Sequence, residues 1–404
     1  MALLASAAGF LIEKAPTVRE ETLLFWEVLK VTSQRPDTEK TEKRFAMHTS
    51  FDRLSNTVAT LRRREFLATC ALVAASLPAS AFTHGFWNKE PEKKTVTIAV
   101  GGRHLYYYLP MALADWLGFY KKEGLNVRIF DTIGGSQTRR AVLAGTADVA
   151  SGAFEHTVIS QARGLNLTAF VLQGRTPQCV FSMNRGTMGD VTDLKELVGR
   201  RVGVTSPGSS SHVFANLVMK RAGVEPTEFF PVGIGAEGQA LNAVRNNEVD
   251  AFVGLDPVVA QLQRENRITV VADSCTAEKS DALYGGPMVG GCLYAPNFFV
   301  EHYPETVQRL TNAILRALGV INRLSTEEIL SIAPEAAKMG VPELYARGFA
   351  INRPTLMHDG RFPRGCVETV AHAMAMVNAQ YADFHPKEEL CYTNRFVDAA
   401  SSRV

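Results

Sequence analysis

The sequence predicts an α/β protein of two similar lobes, each a mostly parallel sheet flanked by helices, with two hinge strands between them. Three observations carry this. The stretch from Gln137 to Ala150 is echoed by Gly238 to Phe252: in both, an amphipathic helix ends in a polar turn, an Asp follows, and a short apolar strand comes next. Upstream of each copy lies a β-rich run, Thr95 to Val100 and Arg201 to Thr205, followed by a loop, a helical pattern and a Gly that stops the helix before another strand. Downstream of each, a helix leads to an apolar strand, Leu167 to Leu172 and Ile268 to Ala272. The period is about 100 residues, far above the roughly 20 to 50 of solenoid repeats, so the chain is a pair of lobes rather than an array. Two such lobes leave a crevice between them, which is where a ligand belongs.

The elements follow in order. Residues 1–81 form a leader. Arg62-Arg63-Arg64-Glu65-Phe66-Leu67 precedes an uncharged run from Phe66 to Leu77, and Ala79-Ser80-Ala81 supplies the small residues a signal peptidase accepts. The Arg63-Arg64-x-Phe66-Leu67 core is that of a twin-arginine export signal, so the Tat machinery is an expected partner, cleavage is expected near Ala81, and the periplasm is the expected location. Such signals sit at an amino terminus. A start at Met47 gives this one ordinary proportions and puts residues 1–46 outside the translated chain; a long leader is the alternative. Residues 82–94 are a polar tether.

Strand Thr95 to Val100 opens the first lobe, with a helix from about Pro110, where proline's missing N–H costs nothing, and a strand from Asn126 to Phe130. Val180 to Asn184 is a strand leaving this lobe, and Asp190 to Val198 a short surface helix. The second lobe occupies 187–285. The chain then returns through the apolar Met288 to Tyr294 and the helical Pro304 to Leu324, so the first lobe is assembled from 95–186 plus 286–385. The crossings are expected near Phe181 and Leu293. Few linking strands permit closure around a ligand.

Composition narrows the function. At 404 residues, 46% hydrophobic and 21% charged, the chain is globular and large enough for two cores. Its formal net charge of +2 resides in residues 1–81, and the neutral remainder, with no Lys/Arg stripe, argues against a nucleic-acid partner. No segment has the roughly 18 uncharged apolar residues of a membrane span. Of six cysteines, Cys70 departs with the leader, too close to the arginines for a lipid anchor. Among the other five, Cys366 with Cys391 or Cys275 with Cys292 are candidate bridges, though spacing does not decide the pairing. No Cys/His cluster predicts a metal, and no cofactor is expected.

Between strand and helix, Thr205-Ser206-Pro207-Gly208-Ser209-Ser210-Ser211 brings serine hydroxyls and unpaired helix N–H groups together, an anion cradle at Ser209, Ser210 and Ser211. A helix cap needs only one such serine. Gly134-Gly135-Ser136 is the matching turn of the first lobe, as cap or as ligand contact. Phe154, Glu155 and His156 follow a strand end, as Asp256 does in the second lobe, and residues there face the crevice of an open sheet. After the first strand, Arg103 is placed to pair with an acidic group, and His104 and the tyrosines from Tyr106 to Tyr108 to line a ligand. Gly233-Ile234-Gly235-Ala236-Glu237-Gly238 matches a dinucleotide fingerprint, but it follows its lobe's second strand, which favours a loop tolerating close contact between lobes. No nucleophile elbow, Walker sequence or paired carboxylates single out a catalytic site.

From Thr95 through Gly134-Gly135-Ser136, Gly145-Thr146-Ala147-Asp148, Gly203 to Ser210 and Asp256-Pro257, the chain resembles the sulfonate, nitrate and taurine substrate-binding proteins of ABC transporters. The thiamine-pyrimidine-binding proteins share that superfamily. The resemblance covers roughly Lys94 to Leu324 and implies the two-lobed type II periplasmic binding fold. It implies a monomer that captures a small organic anion through Arg103 to Tyr106, Gly135, Ser136, Phe154 to His156 and Ser209 to Ser211, and delivers it to a membrane permease. The run Tyr106-Tyr107-Tyr108 departs from the small apolar residues often found there, so a bulkier or aromatic acid stands beside a sulfonate-like one as the expected ligand. Some relatives of the thiamine-pyrimidine branch are enzymes that make that pyrimidine with a cysteine-rich motif and pyridoxal phosphate. This sequence has no cysteine cluster, so the resemblance implies a binding protein, with a pyrimidine-binding or synthase-like role as the alternative.

Overall fold

The computed structural model describes residues 89–401. The leader, its twin-arginine core, the cleavage site near Ala81 and Cys70 lie outside them. Ten strands run β1 Thr95–Val100, β2 Asn126–Asp131, β3 Val149–Ala153, β4 Leu167–Leu172, β5 Val180–Asn184, β6 Arg201–Val204, β7 Phe230–Gly233, β8 Ala251–Gly254, β9 Ile268–Asp273 and β10 Gly291–Pro296. They form two five-stranded sheets, in the orders β2-β1-β3-β10-β4 and β7-β6-β8-β5-β9. In each sheet the fourth strand alone runs antiparallel to its neighbours: β10 between β3 and β4, and β5 between β8 and β9.

The two orders are the same topology, and the odd strand in each comes from the chain crossing between lobes. β5 enters the second sheet directly after β4 leaves the first, and β10 returns the favour after β9. Phe181 and Leu293 are therefore interior positions of these strands, not crossing points. The crossings lie just before them, at 173–179 and 285–290, and β5 stands in the second sheet although the sequence alone assigned it to the end of the first lobe. The crossing segments run against each other: Gly290 N donates to Gly174 O at 2.9 Å, and Gln173 N to Gly291 O at 2.7 Å. A Cβ on Gly290 would lie 2.2 Å from Thr176 O, so only glycine lets the two backbones approach this closely.

The longer helices are α1 Leu109–Trp116, α2 Gly135–Leu143, α3 Glu155–Gln161, α4 Ser210–Arg221, α5 Gly238–Arg245, α6 Val258–Arg264, α7 Ala277–Tyr284, α8 Pro304–Ile321, α9 Pro342–Asn352, α10 Cys366–Val377 and α11 Arg395–Ser401. In α8 the buried Val307, Leu310, Ile314, Ala317 and Ile321 recur at helical spacing, which lays one apolar face on the first sheet's layer. α10 packs against both α4 and α7 of the second lobe, so the returning chain touches each lobe. The chain beyond 385 also joins the first lobe, with Thr393 N donating to Ala169 O at 2.8 Å.

The repeat is visible in the hydrogen bonding. Asp148 accepts from Thr97 N at 2.9 Å and from Lys93 Nζ at 2.7 Å; its counterpart Asp250 accepts from Arg201 N at 3.0 Å and from Arg201 Nε at 3.2 Å. Each carboxylate closes the same corner of its sheet.

Two expectations are corrected. Asp190 to Val198 contains only a 3-10 turn at Leu194–Leu197, because Asp193 caps Lys195 N and the backbone turns extended at Val198. The five cysteines among the described residues are all free. Cys292 is buried inside β10 while Cys275 lies in the turn after β9. Cys366 is buried at the start of α10, and Cys391 Sγ accepts from Gln161 Nε2 at 3.5 Å.

Candidate functional site

The loops after β1, β2 and β3 meet those after β6, β7 and β8, and the lobes touch there. Ser136 and Ser206 share a hydrogen bond across the crevice at 2.8 Å. A Cβ on Gly134 would sit 2.7 Å from Ser206 Oγ and 3.0 Å from Thr205 O, so the glycine turn permits this contact. His104 N donates to Glu237 Oε1 at 2.9 Å, and His104 Nδ1 lies 3.3 Å from Glu237 Oε2. The glycine run from Gly233 to Gly238 thus forms part of the contact between lobes, since a Cβ on Gly102 would lie 2.9 Å from Ala236 Cβ.

The serine loop is largely occupied with itself. Thr205 N donates to Ser211 Oγ at 2.9 Å, Thr205 Oγ1 donates to Ser209 Oγ at 2.9 Å, and Ser209 and Ser211 share a hydrogen bond at 2.9 Å. Gly208 N donates to His212 Nδ1 at 3.0 Å, and burial pushes the His212 pKa down. Ser210 opens α4 and lies 4.0 Å from Cys179 Sγ. Ser209 and Ser211 therefore shape the loop, while Ser206 reaches the other lobe.

Several predicted residues are engaged elsewhere. Arg103 Nε donates to Asp131 Oδ2 at 2.6 Å and Arg103 Nη2 to Ile129 O at 2.8 Å, all within the first lobe. Tyr106 is buried, its hydroxyl donating to Tyr345 O on α9, and its backbone N donating to Asp256 O at 3.2 Å. Asp256 Oδ1 accepts from Ala260 N at 2.9 Å as a cap of α6, and Oδ2 accepts from Asn352 Nδ2 at 2.7 Å. Burial raises the Asp256 pKa despite these donors. Phe154 packs on Phe362 and Tyr392, with ring centroids 5.3 and 6.0 Å away, and belongs to the core.

What remains is a buried polar set. Glu155 and His156 open α3 at the end of β3 and are 2% and 0% exposed. Arg139, on α2 one turn past Gly135, is 8% exposed. Arg139 Nη1, Glu155 Oε1, His156 Nε2 and the Tyr284 hydroxyl have no hydrogen-bond partner. Buried polar atoms are nearly always paired, so these unpartnered atoms are free to take a ligand's own polar groups. His156 is held by Tyr294, whose hydroxyl lies 2.9 Å from Nδ1. A Cβ on Gly135 would lie 3.0 Å from His156 Cε1 and 3.7 Å from Ser209 Cβ, which puts the imidazole beside the serine loop of the other lobe.

Burial raises the Glu155 pKa to about 7, against the lowering pull of Arg139. It holds the His156 pKa well below the usual range, aided by the Arg139 charge, so the imidazole is neutral. Tyr107, Tyr108 and Cys179 feel the Glu155 charge and are pushed up chiefly by burial. The set contains a cation, a carboxyl that titrates near neutrality, a neutral imidazole and several phenols. It is suited to hold a polar, partly aromatic organic anion.

Sequence reasoning singled out Glu155, His156 and the Tyr106 to Tyr108 run but missed Arg139 and Tyr284. The signal for Arg139 lay in the repeat: counted back from Asp148 and Asp250, it occupies the place of Leu241, a buried leucine of α5. A charge standing where the sister lobe has core is a functional marker. No group of His, Cys, Asp and Glu able to hold a metal occurs among the described residues. Pyridoxal phosphate is held through a lysine amine, and among the described residues no lysine is buried with this set, so the set does not fit it.

Comparison with known proteins agrees with the fold. A profile described as NMT1/THI5 like matches residues 106–322. Curated relatives include the 4-amino-5-hydroxymethyl-2-methylpyrimidine phosphate synthase of Schizosaccharomyces pombe, 25% identical over 37% of this chain and 42% of that protein. The synthase of the same name from Legionella pneumophila is 26% identical over 76% of this chain and 93% of its own. The chain thus spans less than half of the first relative. Among solved structures, a protein of Bordetella bronchiseptica RB50 is 37% identical, with a TM-score of 0.75 over 78% of this chain and 99% of that one. The alkanesulfonate-binding protein SsuA from Xanthomonas axonopodis pv. citri, bound to MOPS, is 18% identical, with a TM-score of 0.60 over 76% of this chain and 100% of its own. The profile match over more than half of the 404 residues, on the two-lobed fold of the periplasmic binding proteins, makes this chain a member of the NMT1/THI5-like family.

Proposed function

We propose that the protein is an exported solute-binding protein that encloses a small organic anion between its lobes and delivers it to an ABC permease. The observation that carries this is the orphaned buried set of Arg139, Glu155 and His156 beside the contact between lobes. A guanidinium whose buried Nη1 has no partner attracts an acidic group, and donors placed in advance lower the ordering cost of binding. The arrangement of β5 and β10 supports opening and closing, because among the described residues the chain passes between the sheets only twice. The twin-arginine core belongs to the same proposal: replacing Arg63 and Arg64 by Lys leaves the precursor in the cytoplasm on fractionation, and a processed periplasmic product would refute that route.

A thermal-shift screen tests the binding reading with alkyl and aryl sulfonates, aromatic carboxylates, nitrate, bicarbonate and thiamine-pyrimidine precursors. A ligand at 100 times its Kd adds about 2.7 kcal/mol of stability. At least one anion raises the melting temperature of the unmodified protein and none does so for Arg139→Gln. A folded protein that responds to no anion overturns the reading.

The likeness to pyrimidine phosphate synthases supports a second reading, a pyrimidine phosphate synthase-like enzyme. Glu155 titrating near 7 beside a neutral His156 is suited to moving protons. Detection of the pyrimidine phosphate by mass spectrometry, lost in His156→Gln, decides for it.

A further inference from the structure

Arg139 and Glu155 are both buried in the closed crevice, yet among the described residues no hydrogen bond or ion pair joins them. Two opposite buried charges left apart are costly, and the obvious remedy, pairing with each other, is not taken. The groups around Glu155 are Tyr107 and Tyr108 from the loop after β1, Arg139 from α2, its neighbour His156, Cys179 from the crossing segment and Tyr284 from α7. Arg139 is the only cation that acts on Glu155, and it is not bound to the carboxyl; the exposed Arg140 and Arg163 act on Arg139 itself. A neutral carboxyl removes the conflict. It becomes a donor, and the guanidinium is left as the one buried charge of the set, without a counter-ion.

That charge balance specifies the ligand. One uncompensated cation takes one negative charge, not two. An O–H on Glu155 calls for a second acceptor on the same molecule. Tyr107 and Tyr108, their ring centroids 4.9 Å apart and edge to face, are buried around the same carboxyl and make its surroundings aromatic. Resting on the anion-binding reading above, we propose that the solute is an aromatic acid in its monoanionic form, taken up together with one proton. Arg139 holds the anionic group, and Glu155, as a carboxylic acid, donates to a second acceptor.

The proton comes from solvent and resides on Glu155. In the closed site without ligand this carboxyl titrates at about 7, and an anion beside it raises that value further. His156 is neutral throughout, and the tyrosines and Cys179 titrate far above, so Glu155 alone changes charge between pH 6 and 9 in this shell.

The test is calorimetry of the purified protein with benzoate, 4-hydroxybenzoate and benzenesulfonate at pH 8, in phosphate and in Tris, whose ionisation heats differ. The expected result is that at least one probe binds with uptake of close to one proton. Its Kd weakens about tenfold per pH unit above 8, the linkage limit for one proton. Glu155→Gln, checked for folding by its melt, binds the same probe with no uptake and a flat pH profile. Binding without uptake, or the same pH dependence in Glu155→Gln, overturns the proton. If no aromatic probe binds while another anion in the screen does, the aromatic class is overturned and the anion reading stands. If no anion binds at all, the anion reading itself fails.

Discussion

At the scale of the residue, the site is governed by the cost of burying groups that prefer water. Glu155 shows the sign. Its folded pKa of about 7 lies above the ordinary 4.5, so the folded protein keeps the proton longer than the unfolded chain. Its contribution is unpenalised below pH 4.5, worsens as pH rises through the window from 4.5 to 7, and is constant above that. Glu155→Gln carries no such penalty. In the ligand-free protein it equals the parent in stability near pH 4 and exceeds it by about 3 kcal/mol above pH 7. Urea melts at pH 5 and pH 8 measure the difference, and an equal difference at both pH values contradicts the assignment. His156 adds the opposite slope below 6.5, where the unfolded imidazole gains a proton that the buried one refuses, but this term is common to both proteins and cancels.

Gly152 is a second residue with a definite consequence. A Cβ there would lie 2.8 Å from Tyr294 Cε1 and 3.0 Å from its hydroxyl, and that hydroxyl holds His156. Gly152→Ala must displace the ring within a packed sheet, at about 1 to 3 kcal/mol. The same displacement frees His156, so ligand affinity falls along with stability. A variant as stable as the parent and equally tight in binding shows that Tyr294 does not position the imidazole.

At the scale of the element, the repeat was legible because it rests on local chemistry: helix, polar turn, Asp, strand. Asp148 and Asp250 repeat one corner, each accepting a strand's backbone N–H and a basic side chain. Removing either carboxylate leaves that N–H without its partner. Asp250→Ala, the more buried of the two, costs about 1 to 3 kcal/mol, and Asp148→Ala is expected to cost less. Chemical denaturation of the pair checks the order. What the sequence did not disclose was pairing between distant strands. Val180 to Asn184 is apolar and extended wherever it goes, and nothing local states that it completes the sheet of β6 to β9. The three tyrosines show the same limit, because their faces are fixed by α9 and by the crossing segments, which arrive much later in the chain.

At the scale of the whole molecule, the two lobes are held by the Ser136–Ser206 bond, by His104 with Glu237, and by Asp256, which receives Tyr106 N and Asn352 Nδ2. Of the residues predicted to hold a ligand, His104, Ser136 and Asp256 thus join lobe to lobe. The sequence placed these residues at the rim of the crevice, but it does not distinguish a contact with ligand from a contact with the other lobe, since both use the same donors and acceptors at the same loop ends. The distinction is testable at Glu237, which lies apart from Arg139, Glu155 and His156 and bonds to His104 alone among the lobe-joining residues. Glu237→Ala removes two contacts made only when the lobes meet, worth about 1 to 2 kcal/mol together. The binding-competent closed form then loses population, and apparent affinity weakens by about 5- to 30-fold without loss of proton uptake. Small-angle scattering with and without ligand reads the closure directly: Glu237→Ala is more open than the parent when free and matches it when saturated. An unchanged scattering curve for the free variant, with unchanged affinity, assigns closure to the Asp256 and serine contacts instead.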